Sequence, residues 1–303
     1  MLHQRGILVI KAIKEVIMMT FEFKHDAGTT ELPEIINSAV ALELSFVEAL
    51  VTLDIDVKGI ADDGDSTNLI SPLNKEVGNY ISVGTRIDPD FESIRSSVPQ
   101  LIIGDADRHK DIYNELNDIA PTILFKSFKS GYQESLEVFQ RIGTAVSKSK
   151  EAKERLDKHR ELIDDFNEQI SIDKNKETLA IVVSEQGLTA HSHKTYIGEF
   201  LSKLGFKNAL NDKIAKKLPA YKESYYLELS YEQLANINPE RLIVMINDNN
   251  NNDLSKLQNS NQWDDLDAVK NDRVHFVNRD EWAKLRSPIA SENIVETLAN
   301  LKE

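Results

Sequence analysis

The chain has 303 residues, enough for two domains of ordinary size, and its 41% hydrophobic, 28% charged composition is that of a globular protein. A formal charge of -14 and a pI near 5.0 argue against nucleic acid, whose phosphates demand a basic face. No apolar run approaches the ~20 residues that cross a bilayer, and the lack of cysteine excludes disulfides, thiolate metal sites and a cysteine nucleophile.

In chain order, Met1 to Met19 mixes basic and apolar residues, but Lys11, Lys14 and Glu15 break up any signal-peptide core and no small-residue cleavage site follows. Residues 1–19 therefore read as an atypical leader or a short helix. Thr20 to Lys24 alternates apolar and polar residues, Asp26-Ala27-Gly28 offers a turn, and Thr29 to Leu32 returns, which predicts a β-hairpin. Ala39 to Leu42 reads as a strand, Phe46 to Leu53 as a helix and Val57 to Ile60 as a strand, before the turn Asp62-Asp63-Gly64-Asp65. A short strand near Tyr80 to Val83, a helix from Asp90, the strand Leu101 to Ile103, a helix from Lys110 to Ile119 and the strand Thr122 to Leu124 complete a first lobe over 20–131. Strands alternating with helices at these lengths predict a mainly parallel sheet with covered faces.

Residues 132–170 contain no proline, and Leu136, Phe139, Ile142, Val146, Leu156, Ile163, Phe166 and Ile170 fall near helical spacing. This predicts one linking helix with a break near Ser147; wholly helical, it would extend about 58 Å, enough to pass between lobes. Its charge run Lys148 to Arg160 mixes both signs and reads as a solvated face. The second lobe, 171–303, repeats the alternation with strands Leu179 to Val183, Leu242 to Ile246 and Val274 to Val277, a helix Tyr196 to Leu204 and a terminal helix Ile289 to Leu301. The polar run Asn247 to Asp253 reads as a loop and a helix start.

One pattern occurs twice. Phe91-Glu92-Ser93-Ile94 precedes Pro99 and an apolar strand, and Tyr231-Glu232-Gln233-Leu234 precedes Pro239 and another. Each predicts a short helix that stops before a proline and turns into a buried strand. Asp88 (before Pro89) and Ser230 (with Gln233 three residues on) are the capping candidates. Glu92 and Glu232 either complement the two helix dipoles or form a matched pair of docking charges.

Catalytic signatures are missing: there is no G-x-G-x-x-G after a strand, no G-x-x-x-x-G-K-[ST], no G-x-S-x-G and no H-E-x-x-H. What remains is a set of cationic and aromatic residues beyond strand ends, where α/β folds place ligands. Arg86 lies just before the Glu92 helix, Arg108 and His109 follow the strand Leu101 to Ile103, His191, His193 and Lys194 follow Leu179 to Val183, and Trp282 and Arg286 follow Val274 to Val277. An acidic protein that binds an anion must concentrate positive charge locally, and the arginine fork matches carboxylates bidentately. His191 and His193 are alternatively metal ligands, and Trp282 is either packing or the apolar wall of a cleft.

The runs Val40 to Leu50, Gly59 to Asp63, Ser82 to Arg86, Asp105 to His109 and Ile119 to Thr122 resemble the dicitrate branch of the ABC-importer solute-binding proteins for ferric siderophores. The resemblance covers about Phe21 to the C-terminus and is strongest from Val40 to Leu124. It implies an α/β receptor of class III type, with two Rossmann-like lobes joined by one long linking helix. No intrinsic cofactor is implied, the protein's own residues being no ligands to the metal; iron(III) is held as a chelate. Arg86, Arg108 and His109 match cleft residues of that branch, Arg286 sits in a Trp-x-x-x-Arg pattern like the second-lobe arginine, and His191 or His193 match by region. Glu92 and Glu232 match the glutamates that dock onto the permease. Expected is a monomeric, non-enzymatic, extracytoplasmic receptor, periplasmic or held at the cell surface, that captures iron(III) citrate or a related carboxylate siderophore for an ABC permease. The chain departs from the resemblance at its start, without a signal peptide or an anchoring cysteine. Rival expectations are another iron chelate, haem or cobalamin as ligand, or a metal-dependent enzyme on the same plan.

Overall fold

The computed structural model describes residues 19–218, 221, 224–247 and 251–303. Nearly all of the 1–19 leader and part of the Asn247 to Asp253 run lie outside the described residues. The hairpin pairs β1 (Thr20–His25) with β2 (Gly28–Pro33) antiparallel. The first sheet contains β3 (Ser38–Ala41), β4 (Asp56–Ile60), β5 (Ile81–Ser82), β6 (Ile102–Asp105) and β7 (Thr122–Phe125), all parallel, in the order β5-β4-β3-β6-β7.

The second sheet contains β8 (Glu177–Ser184), β9 (Gly187–His191), β10 (Lys207–Asn208), β11 (Tyr226–Leu229), β12 (Arg241–Ile246) and β13 (Val274–Asn278). Its order is β11-β9-β8-β12-β13, with β10 beside β8. β8, β12 and β13 run parallel, but β9 folds back antiparallel on β8 and β11 pairs antiparallel with β9. This sheet is mixed because Gly187, at φ 114°, closes a tight hairpin directly after β8. His191 therefore ends a strand instead of riding on a loop.

The 132–170 segment is two helices, Tyr132–Ala145 and Ser149–Gln169. The break expected near Ser147 falls there, where φ is 60°, and it reverses the chain. Gly143 packs against Ala152 beside the turn, and the Tyr132 hydroxyl is 2.7 Å from His159 Nε2 at the far end. The 58 Å reach of an unbroken helix is thus not used; the Ser149–Gln169 helix alone, about 30 Å long, leads into the second sheet.

Period-two alternation splits each sheet between two cores. Ala39, Ala41 and Ile103 of the first sheet and Ala180, Val182, Ile243 and Met245 of the second join one continuous core with the helix Pro288–Asn300. Val40, Leu42 and Ile102 face a small outer cluster, and Leu179, Ile181, Leu242 and Val244 another. The mixed-charge run is not wholly solvated: Arg155 and His159 turn inward to Glu48 and Glu292.

Both repeated helices form, Phe91–Ser96 and Tyr231–Ile237. The second has the expected capping box, Ser230 with Gln233; the first is capped by Asp90, not Asp88, because Asp90 accepts from the Glu92 N–H at 3.0 Å while Asp88 is held in a turn by Thr85. Each copy then places one residue in the left-handed region before its proline: Asn238 in the second and Val98 in the first, both at φ 48°. Asparagine tolerates that region and a β-branched residue does not. Val98 is 76% exposed and has no packing to lose, so Val98→Asn is expected to raise folding stability by about 1 kcal/mol, read as a higher urea midpoint; an unchanged or lower midpoint contradicts the strain.

Candidate functional site

A cavity of about 300 Å³ opens between the carboxyl-terminal ends of the two sheets, the place where open α/β sheets hold ligands. The first lobe supplies Arg86, Arg108 and Phe128; the second supplies the β8–β9 hairpin, His191, Tyr226, Arg279, Ala283, Lys284 and Arg286.

Arg86 is aimed by its loop. Gly84, at φ 89°, has no room for a Cβ, which would lie 2.9 Å from the Asp90 nitrogen. The turn it permits brings the Arg86 N–H to Asp63 Oδ1 at 2.9 Å and the guanidinium to Asp63 Oδ2 at 2.9 and 2.6 Å. Burial opposes ionisation of Asp63, but the Arg86 hydrogen bonds hold its carboxyl below the usual range. Arg108 follows β6, donates from Nη1 to the fully buried Glu43, and lies 4.4 Å from the Phe128 ring centroid. Arg286 enters from the second lobe, 7% exposed, with Nη1 unpartnered among the described residues. Its backbone N–H reaches Ser45 Oγ across the lobes at 3.2 Å.

Two residues absent from the sequence reading add charge. Arg279 is half-buried on the wall with no side-chain hydrogen bond among the described residues, and Lys284 bonds to Asp280 at 2.6 Å and to Asn68 of the first lobe at 2.6 Å. Five cations thus line the cavity, and Glu43, Asp63 and Asp280 pair with three of them; the wall keeps a net excess of two positive charges. Phe128 and Tyr226 close one flank, rings stacked at 5.3 Å, with the Tyr226 hydroxyl donating to the Phe128 carbonyl at 2.8 Å.

Three expected ligand contacts are corrected. His109 is fully buried and both ring nitrogens are used: Nδ1 accepts from the Asp105 N–H at 2.8 Å, and Nε2 donates to the Arg86 carbonyl at 2.9 Å. It braces the Arg86 loop from beneath. Trp282 is 1% exposed within the main core, behind the lining residues Ala283 and Lys284. His193 is exposed outside the cavity, with Nδ1 3.0 Å from the Tyr221 hydroxyl. His191 does line the cavity, edge-on to Tyr226 and with Nδ1 unpartnered among the described residues. Burial, and then Arg286 and Arg279, push its pKa down to about 3, so it is neutral at physiological pH.

Phe128, Arg279 and Lys284 were findable, since each sits just beyond a strand like the residues that were found. Tyr226 was not: it begins a strand that carries no sequence signal. No group of three or more His, Asp or Glu able to hold a metal ion occurs among the described residues. Glu92 and Glu232 are exposed at the first turns of their helices; Glu92 accepts from Arg95 Nη1 at 2.9 Å.

The Fe(3+)-citrate-binding protein YfmC of Bacillus subtilis (strain 168) is 36% identical over 269 residues, 88% of this chain and 82% of that one. The Fe(3+) dicitrate-binding periplasmic protein FecB of Escherichia coli (strain K12) is 31% identical over 289 residues, 95% of this chain and 91% of that one. Among solved structures, Staphylococcus aureus SirA complexed with staphyloferrin B superposes with a TM-score of 0.79 at 23% identity, covering 92% of this chain and 97% of that one, a likeness of fold. The sequence also matches the family described as periplasmic binding protein over residues 40–280. Matched over most of its length, with a ligand-sized cavity between two sheets, the chain belongs to the periplasmic binding protein family.

Proposed function

We propose that the protein is the extracytoplasmic receptor of an ABC iron importer and binds iron(III) citrate or a related carboxylate siderophore in the inter-lobe cavity. The observation that carries this reading is the excess of guanidinium charge on the cavity wall of an acidic protein. Citrate supplies the ligands to iron, so the protein need only recognise an anionic shell, and charge-assisted hydrogen bonds from arginine do so. Relatives named for ferric citrate at 36% and 31% identity support the choice of chelate. Neutral His191 and the Phe128–Tyr226 pair supply the less polar side of the wall. Each lobe contributes lining residues, which supports a site complete within one chain and a monomeric receptor. No catalytic constellation is assigned; the reading is capture and release, not turnover.

The experiment is a titration with ferric citrate followed by the fluorescence of Trp282, which stands directly behind the lining. Saturable quenching is expected, with Arg86→Ala weaker by about tenfold, since its removal also leaves Asp63 facing the anion. Equal affinity in the variant removes Arg86 from the site, and no response to ferric citrate beside a Soret change with haem moves the reading to haem. Delivery is assigned to the exposed pair Glu92 and Glu232, one on each lobe, as docking charges for a permease. Reversing either to lysine is expected to lower iron uptake severalfold in cells with ligand affinity intact; undiminished uptake in both variants rejects the docking role.

A further inference from the structure

Glu43 lies fully buried beneath the cavity arginines, directly after β3, the strand from which the connections of the first sheet diverge to either side. That crevice is where an open α/β sheet ordinarily holds its ligand; here it holds a carboxylate belonging to the protein. Oε1 accepts from Arg108 Nη1, whereas Oε2 stands 4.0 Å from Arg86 Nη1 and has no hydrogen-bond partner among the described residues. The charged groups that face Glu43 are Arg108 and Asp105 from the end of β6, Arg86 from the loop after β5, and Arg286 from the second lobe. Asp105 is fully committed: Oδ1 accepts from the N–H groups of Asp107 and Arg108 and Oδ2 from those of Ser127 and Phe128.

Without a ligand, Glu43 is the buried counter-charge that these three guanidinium groups share, with Asp63 as a second partner of Arg86. An anionic chelate brings carboxylates of its own to those groups, and Glu43 is then buried, half-partnered and beside added negative charge. We propose that Glu43 positions Arg86, Arg108 and Arg286 for the ligand and takes up a proton from solvent when an anionic chelate replaces it as their counter-charge. The inference rests on the anionic-ligand reading above. Burial already pushes the Glu43 carboxyl above its ordinary value, against the pull of Arg108, Arg86 and Arg286, and a further anion acts in the same direction. A group that holds its proton more tightly in the bound state couples binding to proton uptake, so affinity rises as pH falls.

Calorimetric titration of ferric citrate into the full chain, in buffers of equal pH and different ionisation enthalpy, counts the protons. Protons of citrate itself contribute equally to every variant, so the quantity read is the difference between the wild type and Glu43→Gln. Up to about one more proton per bound chelate is expected in the wild type, whose Kd rises with pH by up to about tenfold per unit more than that of Glu43→Gln. Glu43→Asp keeps the carboxyl and is expected to keep the uptake. Equal proton counts in two binding-competent proteins overturn the inference, whereas a wild type that does not bind ferric citrate overturns the parent reading. Should Glu43→Gln fail to fold, the wild type alone decides with carbon-13-labelled citrate: its infrared difference spectrum gains an unlabelled carboxylic-acid carbonyl band on binding, and absence of that band rejects the proposal.

Discussion

Arg286→Ala is expected to weaken ferric citrate binding roughly 10- to 150-fold, the equivalent of the 1.5–3 kcal/mol that a hydrogen bond to a charged group contributes, and to leave the protein at least as resistant to urea. The two signs together make the prediction specific. Arg286 is a buried cation whose Nη1 bonds to nothing among the described residues, so in folding it carries a desolvation cost that no hydrogen bond offsets and that the shared charge of Glu43 offsets only in part. Its return comes only when an anion arrives. A residue kept for packing behaves in the opposite way and destabilises on truncation. Affinity by titration and the urea midpoint, measured on the same preparation, check both halves. A variant that binds normally, or one that loses stability and affinity in parallel, contradicts the assignment of Arg286 to the ligand.

Arg155→Ala is expected to destabilise the fold by about 3–5 kcal/mol, the cost of stripping the cation from a buried ionic group. Arg155 Nη2 reaches Glu48 at 2.7 Å and Glu292 at 3.0 Å, Nη1 reaches Glu292 at 2.6 Å, and His159 Nδ1 lies 2.7 Å from Glu292. Glu48 also accepts from the Ile289 N–H at 2.8 Å. These bonds tie the first-lobe helix Leu44–Thr52, the Ser149–Gln169 helix and the C-terminal helix together, so the loss falls on the joint between the lobes. Burial raises the Glu48 carboxyl above its ordinary range even with Arg155 present. For Glu292 burial acts in the same direction but is outweighed by His159 and Arg155, which hold it low. Without Arg155 both carboxyls shift upward, and an acid whose folded pKa exceeds its unfolded value loses stability as pH rises through that folded value. The defect should therefore be larger at pH 8 than at pH 5. Urea titrations at the two pH values test this, and a defect that is equal at both, or larger in acid, contradicts the charge argument. Replacing Glu48, Arg155 and Glu292 together by uncharged residues of similar volume should recover most of the loss.

The alternation of strands and helices, the repeated helix–proline–strand unit and the cationic loops were legible because each is written in local pattern. What was not legible is direction. Arg86, His109 and Trp282 all follow strands, yet only Arg86 reaches the cavity: His109 turns under Gly104, where a Cβ would crowd its ring at 3.0 Å, and Trp282 turns into the core. Those choices are made by packing between segments far apart in the chain. The break near Ser147 was legible but the reversal of the chain there was not, because helical spacing continues on both sides of it, and β9 was masked because Glu185 and Gln186 are not turn formers. Glu43 lay within a recognised motif, but its role depends on three arginines that only the fold assembles.

A net excess of two positive charges, walled by Phe128 and Tyr226, is proposed to select a metal wrapped in organic acid. Calorimetric titration of the intact protein with ferric citrate at two ionic strengths, beside a neutral hydroxamate chelate of iron, tests it most directly. Saturable binding of ferric citrate that weakens with added salt, and no binding of the neutral chelate, is the predicted result; tighter binding of the neutral chelate, or an affinity for ferric citrate that is indifferent to salt, would contradict it.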